Sequence, residues 1–167
     1  MPLWPKPSTP PSVAERIGTE MSRGDLLLLI AVLAGFGIVA SAYLTWQWYE
    51  AASSSWCDLD DYFSCTRVRE SPFAAFAGIP TAVVGVAGFV ILLALSILAL
   101  RGVERIRRTA VEVWVIAFAA VGVAIGTALT WVEVFVIQAI CVLCVVGFAL
   151  AIGILILALL VARKVLT

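Results

Sequence analysis

The chain has 167 residues, of which 63% are hydrophobic and 13% are charged, and its formal net charge is zero. A mean hydropathy of +1.10 excludes a water-soluble globular fold and indicates an integral membrane protein. Histidine is absent, so the usual imidazole base or metal ligand is missing, and we expect any chemistry to involve the cysteines.

The N-terminal segment is rich in proline, with five prolines from Pro2 to Pro11. This composition is typical of disorder, and we predict a disordered cytoplasmic tail over residues 1–24. The first apolar run is too long for the core of a signal peptide and lacks a cleavage pattern, so we interpret it as a retained anchor. A single membrane domain is predicted over residues 25–163, followed by a cytoplasmic tail over residues 164–167.

Four apolar stretches are long enough to cross a bilayer, which takes about 20 residues of helix. They cover residues 26–49, 81–100, 113–136 and 140–161. Backbone groups in lipid must be bonded within the segment, and the alternation typical of a membrane barrel is absent, so each stretch is predicted to be a helix. The predicted fold class is an all-α membrane protein with a four-transmembrane-helix bundle.

The first outer loop, about residues 50–77, is predicted to contain a short helix lying in the membrane interface. Phe73 and Phe76 are spaced as on one helix face, and Pro72 suits a first helical turn. Gly78 and Pro80 mark the break before the second membrane helix.

Basic residues cluster on one side of the predicted bundle, whereas the first loop is mainly acidic. By the positive-inside rule, both termini and the second loop are cytoplasmic, and the first loop is outside together with the turn before the last helix. The arginine-rich second loop is interpreted as a topology anchor and not as a nucleic-acid site. The basic residues in question are Lys6, Arg16, Arg23, Arg101, Arg105, Arg107, Arg108, Arg163 and Lys164.

The four cysteines form two pairs, which this topology places on the outer face, where disulfides persist. Cys57 and Cys65 lie in the polar loop, and Cys141 and Cys144 form a CxxC motif at the start of the last helix. Residues at i and i+3 share a helix face, and a helix N-terminus stabilises a thiolate. The pattern predicts a thiol–disulfide relay that moves two electrons from an aqueous protein to a lipid-soluble carrier, hence a quinone.

The residues by themselves leave two other interpretations open. Four thiols can form a structural zinc site, although a CxxC at the edge of a membrane helix is poorly placed for closed tetrahedral packing. The cysteines can also be inert buried thiols and structural disulfides. No haem-attachment motif or flavin fingerprint is present, and we predict no metal site.

Three stretches, residues 62–72, 78–80 together with Gly85, and 133–144, resemble the vitamin K epoxide reductase family in its bacterial disulfide-forming branch. The order of the motifs supports this resemblance: a loop cysteine pair, a Gly-x-Pro entry to the second helix, and a CxxC opening the fourth. Other membrane disulfide generators have their CxxC in the first outer loop. The resemblance implies a quinone, ubiquinone or menaquinone, bound inside the bundle of a bacterial plasma-membrane protein.

The resemblance also implies a role for each catalytic cysteine. Cys57 would exchange with a separate thioredoxin-like protein outside the cytoplasm, Cys65 would pair with Cys141, and Cys144 would pass electrons to the quinone. The absence of a fused thioredoxin-like domain from the chain is the reason for expecting a separate partner.

Three further residues are candidates for the quinone site or its chemistry. Animal family members have a tyrosine one turn beyond the CxxC, and Phe148 takes that position here, which weakens the case for an epoxide substrate. Thr81 is a candidate hydrogen-bond donor to the quinone, unless its hydroxyl bonds back to its own helix. Glu133 has either an interfacial structural role or a role in proton handling. The alternative functions are a vitamin K quinone or epoxide reductase of the same fold and a non-enzymatic scaffold with structural disulfides.

Overall fold

A computed structural model of the protein describes residues 21–50, 55–76, 78–106 and 109–166. Most of the predicted N-terminal tail and two arginines of the second loop, Arg107 and Arg108, lie outside the described residues. The described elements in chain order are α1 (Arg23–Glu50), α2 (Cys65–Glu70), β1 (Ala75–Phe76), β2 (Ile79–Pro80), α3 (Thr81–Leu100), β3 (Arg105–Ile106), β4 (Thr109–Ala110), α4 (Val111–Val132), a π-helical turn (Glu133–Ile137) and α5 (Val142–Leu166).

The four-helix membrane bundle predicted from the sequence is confirmed. Among the described residues, four helices are long and apolar enough to cross a membrane: α1, α3, α4 with its π-helical turn, and α5. Helix α1 packs against α3 and α5, and α4 packs against the same two helices, so the four form a closed ring. Helix α1 begins at Arg23, within the segment predicted as a tail, and α5 continues to Leu166. Side chains such as Val39 and Trp131 are exposed on the outside, as lipid-facing residues would be.

The hydrophobic core is concentrated at one end of the bundle, which we call the packed end. It is built from the beginnings of α1 and α4 and the ends of α3 and α5, and a buried carboxylate there, Glu112, pairs with Arg23. The second buried cluster lies at the opposite end and contains three of the four cysteines. We call this the cysteine end. The largest fully buried apolar side chains of the packed end are Leu26, Ile30, Val111, Val115, Ile154 and Val161.

The short helix of the first loop is not where the phenylalanine spacing predicted it. Helix α2 spans Cys65–Glu70, and its N-cap, Ser64, accepts a hydrogen bond from the Arg67 N–H at 3.2 Å. Ser71 is extended (φ −72°, ψ 151°), because a residue that precedes proline is disfavoured in helical conformation. The segment from Pro72 onward therefore forms a turn and a two-strand hairpin, closed at Gly78 with φ +80°.

Two helix glycines allow close packing between neighbouring helices. A Cβ atom added to Gly37 of α1 would lie 2.5 Å from the Phe89 ring of α3, and one added to Gly126 of α4 would lie 2.4 Å from the Phe148 ring of α5. Both rings therefore occupy space that any side chain on the facing helix would fill. Gly35, two residues before Gly37, meets nothing within 4 Å.

The contrast between these two α1 glycines gives a direct test of the packing. Gly37→Ala should destabilise the protein by about 1–3 kcal/mol, because the new methyl group displaces the Phe89 ring. Gly35→Ala is the matched control and should leave stability unchanged or slightly raised. Thermal unfolding in detergent micelles measures both, and equal unfolding temperatures for the two variants would contradict the packing described here.

Candidate active site

The loop cysteines are joined to each other and buried. A disulfide links Cys57 and Cys65, whose Cα atoms are 5.9 Å apart. Their exposed fractions are 2% and 4%, so neither sulfur is freely accessible to solvent. Cys65 is the first residue of α2, and Cys57 lies in the turn that precedes it in the chain.

Asp58 holds this loop together. Its carboxylate accepts hydrogen bonds from the Ser55 N–H (2.8 Å), the Ser64 hydroxyl (2.9 Å), and the N–H and hydroxyl of Thr66 (3.0 and 2.6 Å). Partial burial opposes the charged form, but these donors outweigh it and hold the pKa of Asp58 well below its usual range. Sequence reasoning missed this residue because its partners lie up to eight positions away, and no local pattern marks them.

The loop is attached to the bundle by a backbone contact beside the CxxC motif. The Ile140 N–H donates to the Tyr62 carbonyl at 2.7 Å, and Phe63 forms a parallel bridge with Ile140. This contact brings the two cysteine pairs together, since the Cys141 sulfur lies 3.3 Å from that of Cys65. The pairing of Cys65 with Cys141 that the family resemblance implied therefore corresponds to a direct sulfur contact.

The chain reaches the CxxC through a tight reversal after α4. The π-helical turn ends at Gln138, a non-glycine residue in the left-handed region with φ 55°. The N–H groups of Gln138 and Ala139 both donate to the Glu133 carbonyl, which closes the turn. Such a conformation is uncommon outside glycine and is found preferentially at functional sites.

The CxxC occupies the first positions of α5. The helix begins at Val142, two residues later than the predicted start, so Cys141 directly precedes its first turn. The Cys144 N–H donates to the Cys141 sulfur at 3.4 Å, which is the arrangement of a helix N-cap. Both thiols are free; Cys141 is buried and Cys144 is partly exposed. The N-terminus of α5, with the positive end of the helix dipole, therefore faces the sulfur that contacts Cys65.

Beneath the loop, the cysteine end encloses a cavity of about 390 Å³ between the four membrane helices. Its lining is mainly apolar and includes three cysteines, Cys65, Cys141 and Cys144, together with the predicted quinone contacts Phe148 and Thr81. An apolar cavity of this size with a few polar groups fits a small planar ring such as a quinone head group. The fourth cysteine, Cys57, is not among the lining residues.

Two of the lining residues contribute in ways the sequence did not show. The Thr81 hydroxyl donates to the Ala74 carbonyl at 3.0 Å, so it bonds to the hairpin and not to its own helix, and a quinone would compete for that proton. Arg69 of α2 donates to the carbonyl and the side-chain oxygen of Gln47 in α1, at 3.0 and 3.2 Å. This contact ties the loop helix to the bundle above the cavity.

Glu133 is buried inside the site. Its carboxylate accepts a hydrogen bond from the Cys141 N–H at 3.2 Å and lines the cavity, so it is part of the cysteine site. Within the part of the chain that the structure describes, no three Asp, Glu, His or Cys residues are grouped as metal ligands.

A model of the vitamin K epoxide reductase family matches residues 28–159. The matched range reaches into all four membrane helices and contains both cysteine pairs.

The Asp58 contacts predict how firmly the loop protects its disulfide. Asp58→Asn should make loop opening roughly 10- to 100-fold more frequent, because hydrogen bonds to a charged group contribute about 1.5–3 kcal/mol. The measurement is the rate at which a small water-soluble thiol reduces the Cys57–Cys65 disulfide, followed by alkylation with a mass tag. Asp61→Asn removes the same charge from an exposed neighbour and should leave the rate unchanged.

The stabilisation of the loop by the Asp58 carboxylate should depend on pH. The ordinary pKa of the Asp58 carboxyl is 3.8, and its pKa in the folded loop is lower. The stabilisation is therefore fully present above about pH 4 and is lost as the pH falls below that value. A loop disulfide that is reduced at equal rates in the wild type and in Asp58→Asn near neutral pH would contradict the role given to this carboxylate.

Proposed function

Because the chain belongs to the vitamin K epoxide reductase family, we propose that it is a quinone-dependent thiol oxidase that generates disulfides in a thioredoxin-like partner protein. Family membership supports a membrane thiol–disulfide oxidoreductase linked to a quinone. The direction of electron flow, the partner and the acceptor are our proposal. The observation that carries it is the 3.3 Å contact between the Cys141 and Cys65 sulfurs, which links the loop pair to the cavity.

Electrons enter at the loop disulfide. A thiolate of the partner attacks the Cys57 sulfur, which forms a mixed disulfide and releases Cys65 as a thiolate. The second partner thiol then displaces Cys57, so the partner leaves as a disulfide and the loop pair is left with two thiols. Because Cys57 is buried, the partner must first displace the segment around it.

The second exchange moves the electrons into the bundle. The Cys65 thiolate attacks the Cys141–Cys144 disulfide at Cys141 and releases Cys144. Cys57 then attacks Cys65, which restores the loop disulfide and leaves Cys141 as a thiol. The described structure corresponds to the state after this step, with a disulfide in the loop and two free CxxC thiols.

The remaining step returns the CxxC to a disulfide. Cys144, Phe148 and Thr81 would hold a quinone in the cavity, and a bound quinone would supply the acceptor for the two electrons and two protons that the CxxC gives up. Cys144 lines the cavity, as Phe148 and Thr81 do, and it is the more exposed of the two CxxC cysteines, which supports its role as the cysteine that reacts with the acceptor. We propose ubiquinone or menaquinone as acceptor, and a bacterial plasma membrane in which both termini are cytoplasmic and the cysteine end faces outward.

The proposed function is tested with the purified full-length protein in detergent. Reduced thioredoxin serves as model partner and short-chain benzoquinones and naphthoquinones serve as acceptors. Quinone reduction should require thioredoxin oxidation in equal amounts and should be abolished in Cys144→Ala, which lacks the thiol beside the cavity. Undiminished turnover in Cys144→Ala would contradict the assignment. Consumption of a vitamin K epoxide in place of quinone reduction would favour the reductase alternative.

The division of labour between the loop cysteines has a separate test. Cys57→Ala should lose thioredoxin oxidation but retain oxidation of a small dithiol, which can reach the CxxC through Cys65. Equal loss with both substrates would contradict separate roles for the two residues. In cells, mass-tag thiol trapping should show cysteine states that change with quinone supply, whereas a scaffold with structural disulfides would show one fixed state.

A further inference from the structure

The carboxylate of Glu133 lines the cavity together with both cysteines of the CxxC. The charged residues among its described lining are Arg69 and Glu133, so Glu133 is the one acidic group there. Its side chain is 2% exposed. A carboxylate in such a position is costly to bury and is generally found with hydrogen-bonding partners. The groups around Glu133 therefore indicate the role of its carboxylate in the site.

Its neighbours there are the two cysteines of the CxxC. One carboxylate oxygen of Glu133 accepts the Cys141 N–H at 3.2 Å, and Cys144 lines the cavity together with Glu133. The other buried glutamate of the same helix, Glu112, is paired with Arg23 at the packed end. Glu112 thus has the partner expected of a structural charge, whereas Glu133 faces groups that gain and lose protons.

An uncommon backbone turn holds Glu133 in this position. Its carbonyl closes the π-helical turn through the N–H groups of Gln138 and Ala139, and Gln138 adopts the left-handed region to permit the reversal. A regular α-helix that continued past residue 133 would not return the chain to the CxxC eight residues later. The uncommon turn therefore serves to place this carboxylate under the first turn of α5.

Oxidation of the CxxC requires a proton acceptor. When Cys141 and Cys144 form a disulfide, the two thiols lose two electrons and two protons, and a quinone becomes a quinol by taking up both. The chain contains no histidine to carry these protons. We propose that Glu133 is the proton carrier of the site: it takes the proton of the Cys144 thiol and delivers it into the cavity.

The protons and electrons of this step balance because the carboxylate passes each proton on and does not keep it. Glu133 begins and ends each transfer as a carboxylate, and it moves the second proton in the same way after the first has been delivered. One S–S bond forms, two S–H bonds break, and the quinone holds both electrons and both protons at the end. This inference rests on the proposed function, since the quinone is the acceptor named there.

Glu133→Gln tests the proposal, because glutamine keeps the size and the hydrogen-bond acceptor for the Cys141 N–H but does not take up a proton. Transfer from the reduced CxxC to a short-chain quinone in a single turnover should slow by about 100-fold or more, the usual effect of losing a general base. Reduction of the loop disulfide by a small dithiol should keep its wild-type rate. Glu133→Asp should recover part of the transfer rate, because it restores a carboxylate.

Glu112→Gln is the matched control. It removes a buried carboxylate from the same helix at the packed end, and its quinone reduction should stay near the wild-type rate. A folded Glu133→Gln protein that reduces quinone as fast as Glu112→Gln would overturn the proposal, since a purely structural glutamate is replaced by glutamine without such loss. A wild-type protein that does not reduce quinone at all would instead refute the proposed function.

A second experiment tests the role of Glu133 without quinone and without the Glu133→Gln variant. Infrared difference spectra between the disulfide and dithiol forms of the CxxC should contain a carboxyl band that shifts on labelling with ¹³C-glutamate. The band should persist in Glu112→Gln, because Glu133 responds to the proton on Cys144. Spectra without any glutamate signal in the wild type would overturn the proposal, even if the Glu133→Gln variant failed to fold.

Discussion

The structure depends on two sulfur atoms, 76 residues apart in the chain, that meet at 3.3 Å. Nothing in the apolar helices by themselves produces this contact. It requires a polar loop that is rigid enough to hold Cys65 in place, which the Asp58 carboxylate provides, and a fixed register against the last helix, which the bond between Tyr62 and Ile140 provides. If either were lost, the bundle could still form, but Cys65 would no longer be held against Cys141, and the proposed exchange between the two pairs would fail.

The position of the contact also explains the arrangement below it. Cys141 sits at the start of α5, where its sulfur accepts a helix N–H, and Cys144 lies one turn along and lines the cavity. A single helical turn thus separates the Cys141 sulfur, which contacts Cys65, from the Cys144 sulfur, and both residues line the cavity. In the proposed function, one turn of helix joins thiol exchange with a water-soluble protein to electron transfer to a lipid-soluble quinone, and the proposed steps require no metal or bound flavin.

The membrane part of the fold could be predicted from the sequence, and most of the loop could not. Long apolar runs reflect the lipid around each helix, so their limits follow from composition, and the second membrane helix was predicted at Thr81–Leu100, where it is found. The position of the loop helix was predicted wrongly, because the Phe73 and Phe76 spacing was given more weight than the cap at Ser64 and the proline that follows Ser71. The Asp58 contacts and the turn at Gln138 depend on partners distant in sequence or on rare backbone geometry. The cysteine pairs were found because their spacing is local, whereas their mutual contact is a property of the folded chain.

The dense packing at the end opposite the cysteines has a consequence for the direction from which reagents can arrive. Leu26, Ile30, Val111 and Ile154 fill the space between the helices there, so the described helices leave no passage along the bundle axis from the cavity to the packed end. Reductants dissolved at the packed end would have to cross this core to reach the sulfur atoms, so in the orientation proposed above the thiols would exchange with the outer compartment and not with the cytoplasm.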